Sequence, residues 1–120
     1  MSDPASPWPL ELRSMQGGRL LRVSFDDGSS FDLSAEYLRV ESPSAEVRGH
    51  SESERKTVSG KSNVAIRDVV PTGNYAARLV FDDGHETGIY TWSYLRELGV
   101  EREARWTVYL AELGKKGLRR

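Results

Sequence analysis

Apolar positions along this chain come in short alternating bursts, each closed by a glycine-containing turn. Leu21, Val23 and Phe25 alternate with Arg22 and Ser24, and after Asp27-Gly28 the same spacing resumes at Phe31 and Leu33. A period of two places such side chains on one side of a strand, so the pattern predicts a hairpin with one apolar face. Leu10 and Leu12, alternating with Glu11 and Arg13 ahead of Gln16-Gly17-Gly18, extend that face to a third strand. Ser34 then stands where a helix N-cap belongs, and a helix from Ala35 to about Val40 would turn Tyr37 and Leu38 inward.

The plan repeats. Val64, Ile66, Val69 and Val70 form a strand of mixed phase, and Pro71-Thr72-Gly73-Asn74 reads as a turn. Tyr75–Phe81 is the next strand, Asp83-Gly84 a tight turn, Gly88–Thr91 the return strand, and a short helix stops at Gly99. Phe25-Asp26-Asp27-Gly28 and Phe81-Asp82-Asp83-Gly84 are the matching turns, each followed by an aromatic-Leu-Arg helix. Trp106, Tyr109, Leu110 and Leu113 give a last helix, from about Glu101, an inward stripe that ends at Gly114. The expected fold is α+β: a mainly antiparallel sheet built from two hairpin-plus-short-helix units, with a C-terminal helix packed on one face.

A chain of 120 residues is most economically one domain. Three of the five prolines lie in residues 1–9, read as a flexible arm; 10–113 form the domain, and the basic residues 114–120 a frayed tail. Residues 41–63 are polar and long enough to be a functional or mobile loop. No apolar run reaches membrane-spanning length, and the N-terminus has no export signal, so a cytoplasmic location is expected. The net charge of −1 gives no global attraction to nucleic acid or anionic lipid, leaving nucleic-acid binding through the tail and an aromatic face as a distant alternative.

Candidate chemistry is sparse. Gly60-Lys61-Ser62 resembles the end of a phosphate-binding loop, but Arg55 stands where that motif needs its first glycine. The absence of cysteine removes thiolate nucleophiles, thiolate metal ligands and disulfides, and no nucleophile-base constellation is present. Asp26-Asp27 and Asp82-Asp83 fit hairpin turns better than a metal site. His85 and His50 are metal candidates only with carboxylates completing the set, and a hydrogen-bonding or partner-facing role for His85 stands beside that. Tyr90 and Trp92 share a face if the strand runs that far, either stacking on a partner or joining the core. The partner-binding candidates are Arg48, His50, His85, Tyr90 and Trp92; no catalytic residue and no cofactor is expected.

Leu38-Arg39, Ser42-Pro43-Ser44-Ala45-Glu46-Val47-Arg48-Gly49-His50 and the run Phe81-Asp82-Asp83-Gly84-His85-Glu86-Thr87-Gly88-Ile89-Tyr90-Thr91-Trp92-Ser93-Tyr94-Leu95 resemble the gamma-butyrobetaine hydroxylase-like N-terminal domain family, over about residues 8–113. In that family the domain precedes an oxygenase domain, accompanies Mrp-type P-loop ATPases that carry iron–sulfur clusters, or stands alone in bacteria. The resemblance therefore implies a non-catalytic interaction domain, with an Mrp-type ATPase or another iron–sulfur assembly protein as partner. The hydroxylase forms hold a structural zinc through three cysteines and a histidine. His85 matches that histidine, whereas the cysteines correspond to the region of Ser42, Ser44 and Val47, so zinc binding is not expected to carry over.

Overall fold

The computed structural model describes residues 8–44 and 57–120. Strands β1 (Pro9–Met15), β2 (Leu20–Phe25) and β3 (Ser30–Ser34) form one antiparallel sheet, followed by helix α1 (Ala35–Val40). Strands β4 (Ile66–Thr72), β5 (Ala76–Phe81) and β6 (Ile89–Thr91) form a second, followed by α2 (Trp92–Val100). A final helix, α3, spans Arg102–Lys116. The fold is α+β, and each unit carries its own three-stranded antiparallel sheet. Among the described residues no helix is long and apolar enough to cross a membrane.

The alternation read from the sequence becomes one core shared by both sheets. Leu21, Val23, Phe25 and Leu33 of the first sheet meet Ile66, Leu79, Phe81 and Tyr90 of the second, with Tyr37, Leu38, Leu95 and Leu98 from the two short helices closing it. Burying each such side chain stabilises the fold by roughly 1.5–3 kcal/mol, so neither unit is self-sufficient without the other's face.

The helices are bound reciprocally. Ser34 Oγ accepts from Tyr37 N–H at 3.0 Å and Thr91 Oγ1 from Tyr94 N–H at 3.1 Å, the same cap at equivalent positions. Tyr37 Oη donates to Leu98 O of α2 at 2.7 Å, and Tyr94 Oη donates to Glu41 O, just past α1, at 2.6 Å. Each phenol thus satisfies a carbonyl that the end of the other helix leaves without an intrahelical partner.

Several expectations need correction. Leu10 is 70% exposed rather than on the apolar face, because the β1–β2 register shifts between Pro9 and Glu11 and puts Leu10 out of phase. A similar shift between Ile66 and Asp68 explains the mixed phase of β4. Pro71 and Thr72 extend β4 instead of forming the turn; β4 is an edge strand, where a missing N–H is tolerated. Gly99 does not stop α2, which continues through Val100. A Cβ at Gly99 would lie 2.5 Å from the Phe31 ring, so glycine serves a close helix-to-strand contact there. Likewise α3 passes through Gly114 and ends at Gly117, whose φ of 65° permits the left-handed turn in which Leu118 N–H reaches Leu113 O. Leu110 is exposed, and the inward stripe is Trp106, Tyr109 and Leu113.

The last residues are docked rather than frayed. Gly60 N–H donates to Arg119 O at 2.9 Å, and the Arg120 guanidinium grips the buried Glu36 carboxylate through Nε and Nη2 at 3.0 and 2.7 Å while lying over Trp106.

Candidate functional site

The two acidic turns build different centres. In the first, Asp27 Oδ1 accepts from Ser29 N–H and Oγ–H at 2.9 and 2.5 Å, and Asp26 Oδ1 accepts from Trp8 N–H. The Asp27 bonds are those an Asp-Gly turn makes, whereas the Asp26 bond ties the turn to the start of β1. In the second, Asp82 Oδ1 accepts from Ala65 N–H at 3.0 Å and Asp83 Oδ1 from His85 N–H at 3.1 Å. Asp83 Oδ2 then receives two cations, Arg39 Nε at 2.9 Å and Lys61 Nζ at 2.6 Å. Burial pushes the Asp83 carboxyl upward, but the hydrogen bonds from Lys61, His85 N–H and Arg39, with the Arg39 charge, outweigh it and hold the group at about 2.

Beside this centre His85 is buried, its Nε2 2.9 Å from Ser42 Oγ and its ring against Phe81. Ser42 is fully buried and also accepts from Ser44 N–H at 3.2 Å; Ser44 Oγ bonds Thr87 Oγ1 at 2.7 Å. Gly88 leaves the room for this packing, since a Cβ there would lie 2.6 Å from Ser42 Oγ. The hydroxyls correspond to positions where the family resemblance implies zinc-binding thiolates. The set does not fit zinc, because serine hydroxyls near neutral pH are neutral and Nε2, the ring atom nearest the cluster, is engaged by one of them. Among the described residues no three His, Asp or Glu side chains converge as metal ligands.

The predicted partner-facing residues separate. Arg48 and His50 lie outside the described residues. His85 and Tyr90 are interior, so of the alternatives open from the sequence the hydrogen-bonding reading of His85 and the core reading of Tyr90 are the ones the structure realises. Tyr90 is fully buried and its hydroxyl donates to Leu38 O, and burial holds its phenol well above the usual value. Trp92 does not share its face, because β6 ends at Thr91 and Trp92 opens α2, half-buried, with Nε1–H donating to Asn74 O at 2.9 Å.

Reading the sequence missed Arg39 and Lys61 as members of the turn centre. The repeat held a signal for Arg39, since Leu38-Arg39 and Leu95-Arg96 occupy equivalent helix positions; the Gly60-Lys61-Ser62 run drew attention to Lys61 but gave no sign that it meets the second turn. Elsewhere a groove of about 750 Å³ between β3 and the start of α3 carries charges of both signs, Arg22 already paired with Asp32 at 2.7 Å and Arg102 bonded to Asp32 O at 2.9 Å. It offers no buried acid or base.

Comparison with known proteins places this geometry. Two structures determined in solution by NMR are 42% and 43% identical to the chain, with TM-scores of 0.82 and 0.83; they cover 95% and 100% of it, and the matches cover 90% and 89% of their own lengths. A crystal structure of a DUF971-family protein of unknown function from Acidithiobacillus ferrooxidans is 44% identical over 82% of this chain and 98% of its own, with a TM-score of 0.66. No curated protein matches. The family model described as gamma-butyrobetaine hydroxylase-like, N-terminal, matches residues 12–96, both turns, helix α1 and the first half of α2 included. The chain therefore belongs to the gamma-butyrobetaine hydroxylase-like N-terminal domain family.

Proposed function

We propose that this protein is a non-catalytic interaction domain of the cytoplasm that works beside an Mrp-type iron–sulfur carrier ATPase. The groups with chemical potential are engaged internally: Ser42 and His85 bond each other out of reach of solvent, and the turn carboxylates are taken up by backbone N–H groups and by Arg96, Arg39 and Lys61. The observation that carries the reading is the outward face of the second sheet. There Val70, Arg78 and Ile89 form one cross-strand row, on the side opposite the buried Leu79 and Phe81, with Ile89 exposed and Val80 half-buried beside it. An apolar row with a central cation, rigidly presented on a sheet, suits recognition of another protein surface. The family resemblance supplies the identity of the partner.

The test is capture of Mrp-type ATPases on the immobilised protein from extracts of its own cell. Enrichment over an unrelated small acidic protein is expected, with loss in Ile89→Glu, a surface change that leaves thermal unfolding in place. Equal recovery on both baits removes the proposal.

A further inference from the structure

The repeat provides its own control for the Asp83 centre. At the equivalent place in the first unit, both terminal nitrogens of Arg96 are answered: Nη2 bonds Asp27 Oδ2 at 3.0 Å and Nη1 bonds Ser29 Oγ at 2.7 Å. Arg39 makes the matching ion pair through Nε, but its Nη1 is buried with no hydrogen-bond partner among the described residues. His85 stands at the position of Ser29, and the second unit adds a cation, Lys61, with no counterpart in the first. Among the described residues, two positive charges therefore share one negative charge, with side-chain exposures of 12% for Arg39, 23% for Lys61 and 18% for Asp83.

Neighbouring polar groups are already committed. The Tyr90 hydroxyl donates to Leu38 O, Ser42 Oγ serves Ser44 N–H and His85, and Asp82 Oδ1 serves Ala65 N–H. A buried guanidinium N–H without an acceptor costs free energy, and an excess cation beside it makes an anionic acceptor the natural remedy. We propose that Arg39 and Lys61 form a binding site for a small tetrahedral oxyanion of the phosphate class. Lys61, the more exposed cation, swings from Asp83 to admit the anion, one of whose oxygens then answers Arg39 Nη1. Asp83 and the exposed Asp82 and Glu86 of the same turn oppose anions, so affinity is modest, on the order of millimolar.

Thermal unfolding of the full chain and side-chain ¹H–¹⁵N spectra are recorded at pH 7 in sodium phosphate and in sodium chloride of equal ionic strength. Expected is a saturable rise in Tm with phosphate alone, together with movement of the Arg39 Nε–Hε signal. Lys61→Gln weakens the apparent affinity roughly tenfold, the loss of one charge-assisted hydrogen bond. Arg96→Lys, altering the equivalent arginine, keeps the response, whereas Arg39→Lys loses it. Should Arg39→Lys fail to fold, Lys61→Gln decides, since it keeps the length of a partly exposed side chain outside the hydrophobic core. Coincident phosphate and chloride curves overturn the proposal. So does a linear rise that Lys61→Gln shares, which marks general salt stabilisation.

Discussion

Replacing Asp83 by asparagine keeps the shape of the second turn and an oxygen for His85 N–H while removing the one negative charge that Arg39 and Lys61 share. The native carboxyl titrates at about 2 against an ordinary 3.8. At about 1.36 kcal/mol for each tenfold change in proton affinity, that gap corresponds to roughly 2 kcal/mol of stability once screening by solvent at the open side of the cluster is allowed for. Because the folded value is depressed, the contribution is complete above the unfolded carboxyl value and is lost as pH falls through about 2. Urea unfolding of both proteins from pH 7 to pH 2 tests this. The wild type should exceed Asp83→Asn by about 2 kcal/mol at pH 7, a midpoint shift of roughly 1–2 M urea. The difference should shrink below about pH 4 and nearly vanish at pH 2. Equal stabilities at pH 7, or a difference constant across the range, would refute the claim that ionised Asp83 holds the two cations.

Three further outcomes are expected. Gly18→Ala should unfold the protein or cost more than about 3 kcal/mol, since φ is +89° and a Cβ would meet Ile66 O at 2.2 Å, whereas Gly28→Ala, at φ +88° with open space around it, should cost only about 1 kcal/mol in thermal unfolding. Tyr37→Phe should lower stability by about 1–2 kcal/mol in urea, because Leu98 O loses its buried donor; an unchanged midpoint would show that the reciprocal phenol bonds do not hold the helices. Arg120→Ala should leave the Glu36 carboxylate without its bidentate partner and uncover Trp106, costing about 1 kcal/mol and shifting tryptophan emission to longer wavelength.

What the amino-acid order decided was local. Alternation at Leu21, Val23 and Phe25, the Asp-Gly turns, the Ser34 cap and the duplicated Phe-Asp-Asp-Gly plan all act through neighbours a few residues apart, so strands, turns and the short helices were legible from the chain. Helix ends were less so, because a glycine signals a stop and a close approach with the same letter: Gly99 makes room for Phe31, and only Gly117 adopts the left-handed cap. The tertiary structure alone determined that Tyr90 and His85 turn inward, that Arg120 returns to Glu36, and that Arg39 and Lys61 meet on Asp83. Those contacts join residues 22 to 84 positions apart. Their partners are selected by how two sheets pack over one core, and a side chain's local pattern is the same whether its charge is answered across the fold or left facing water.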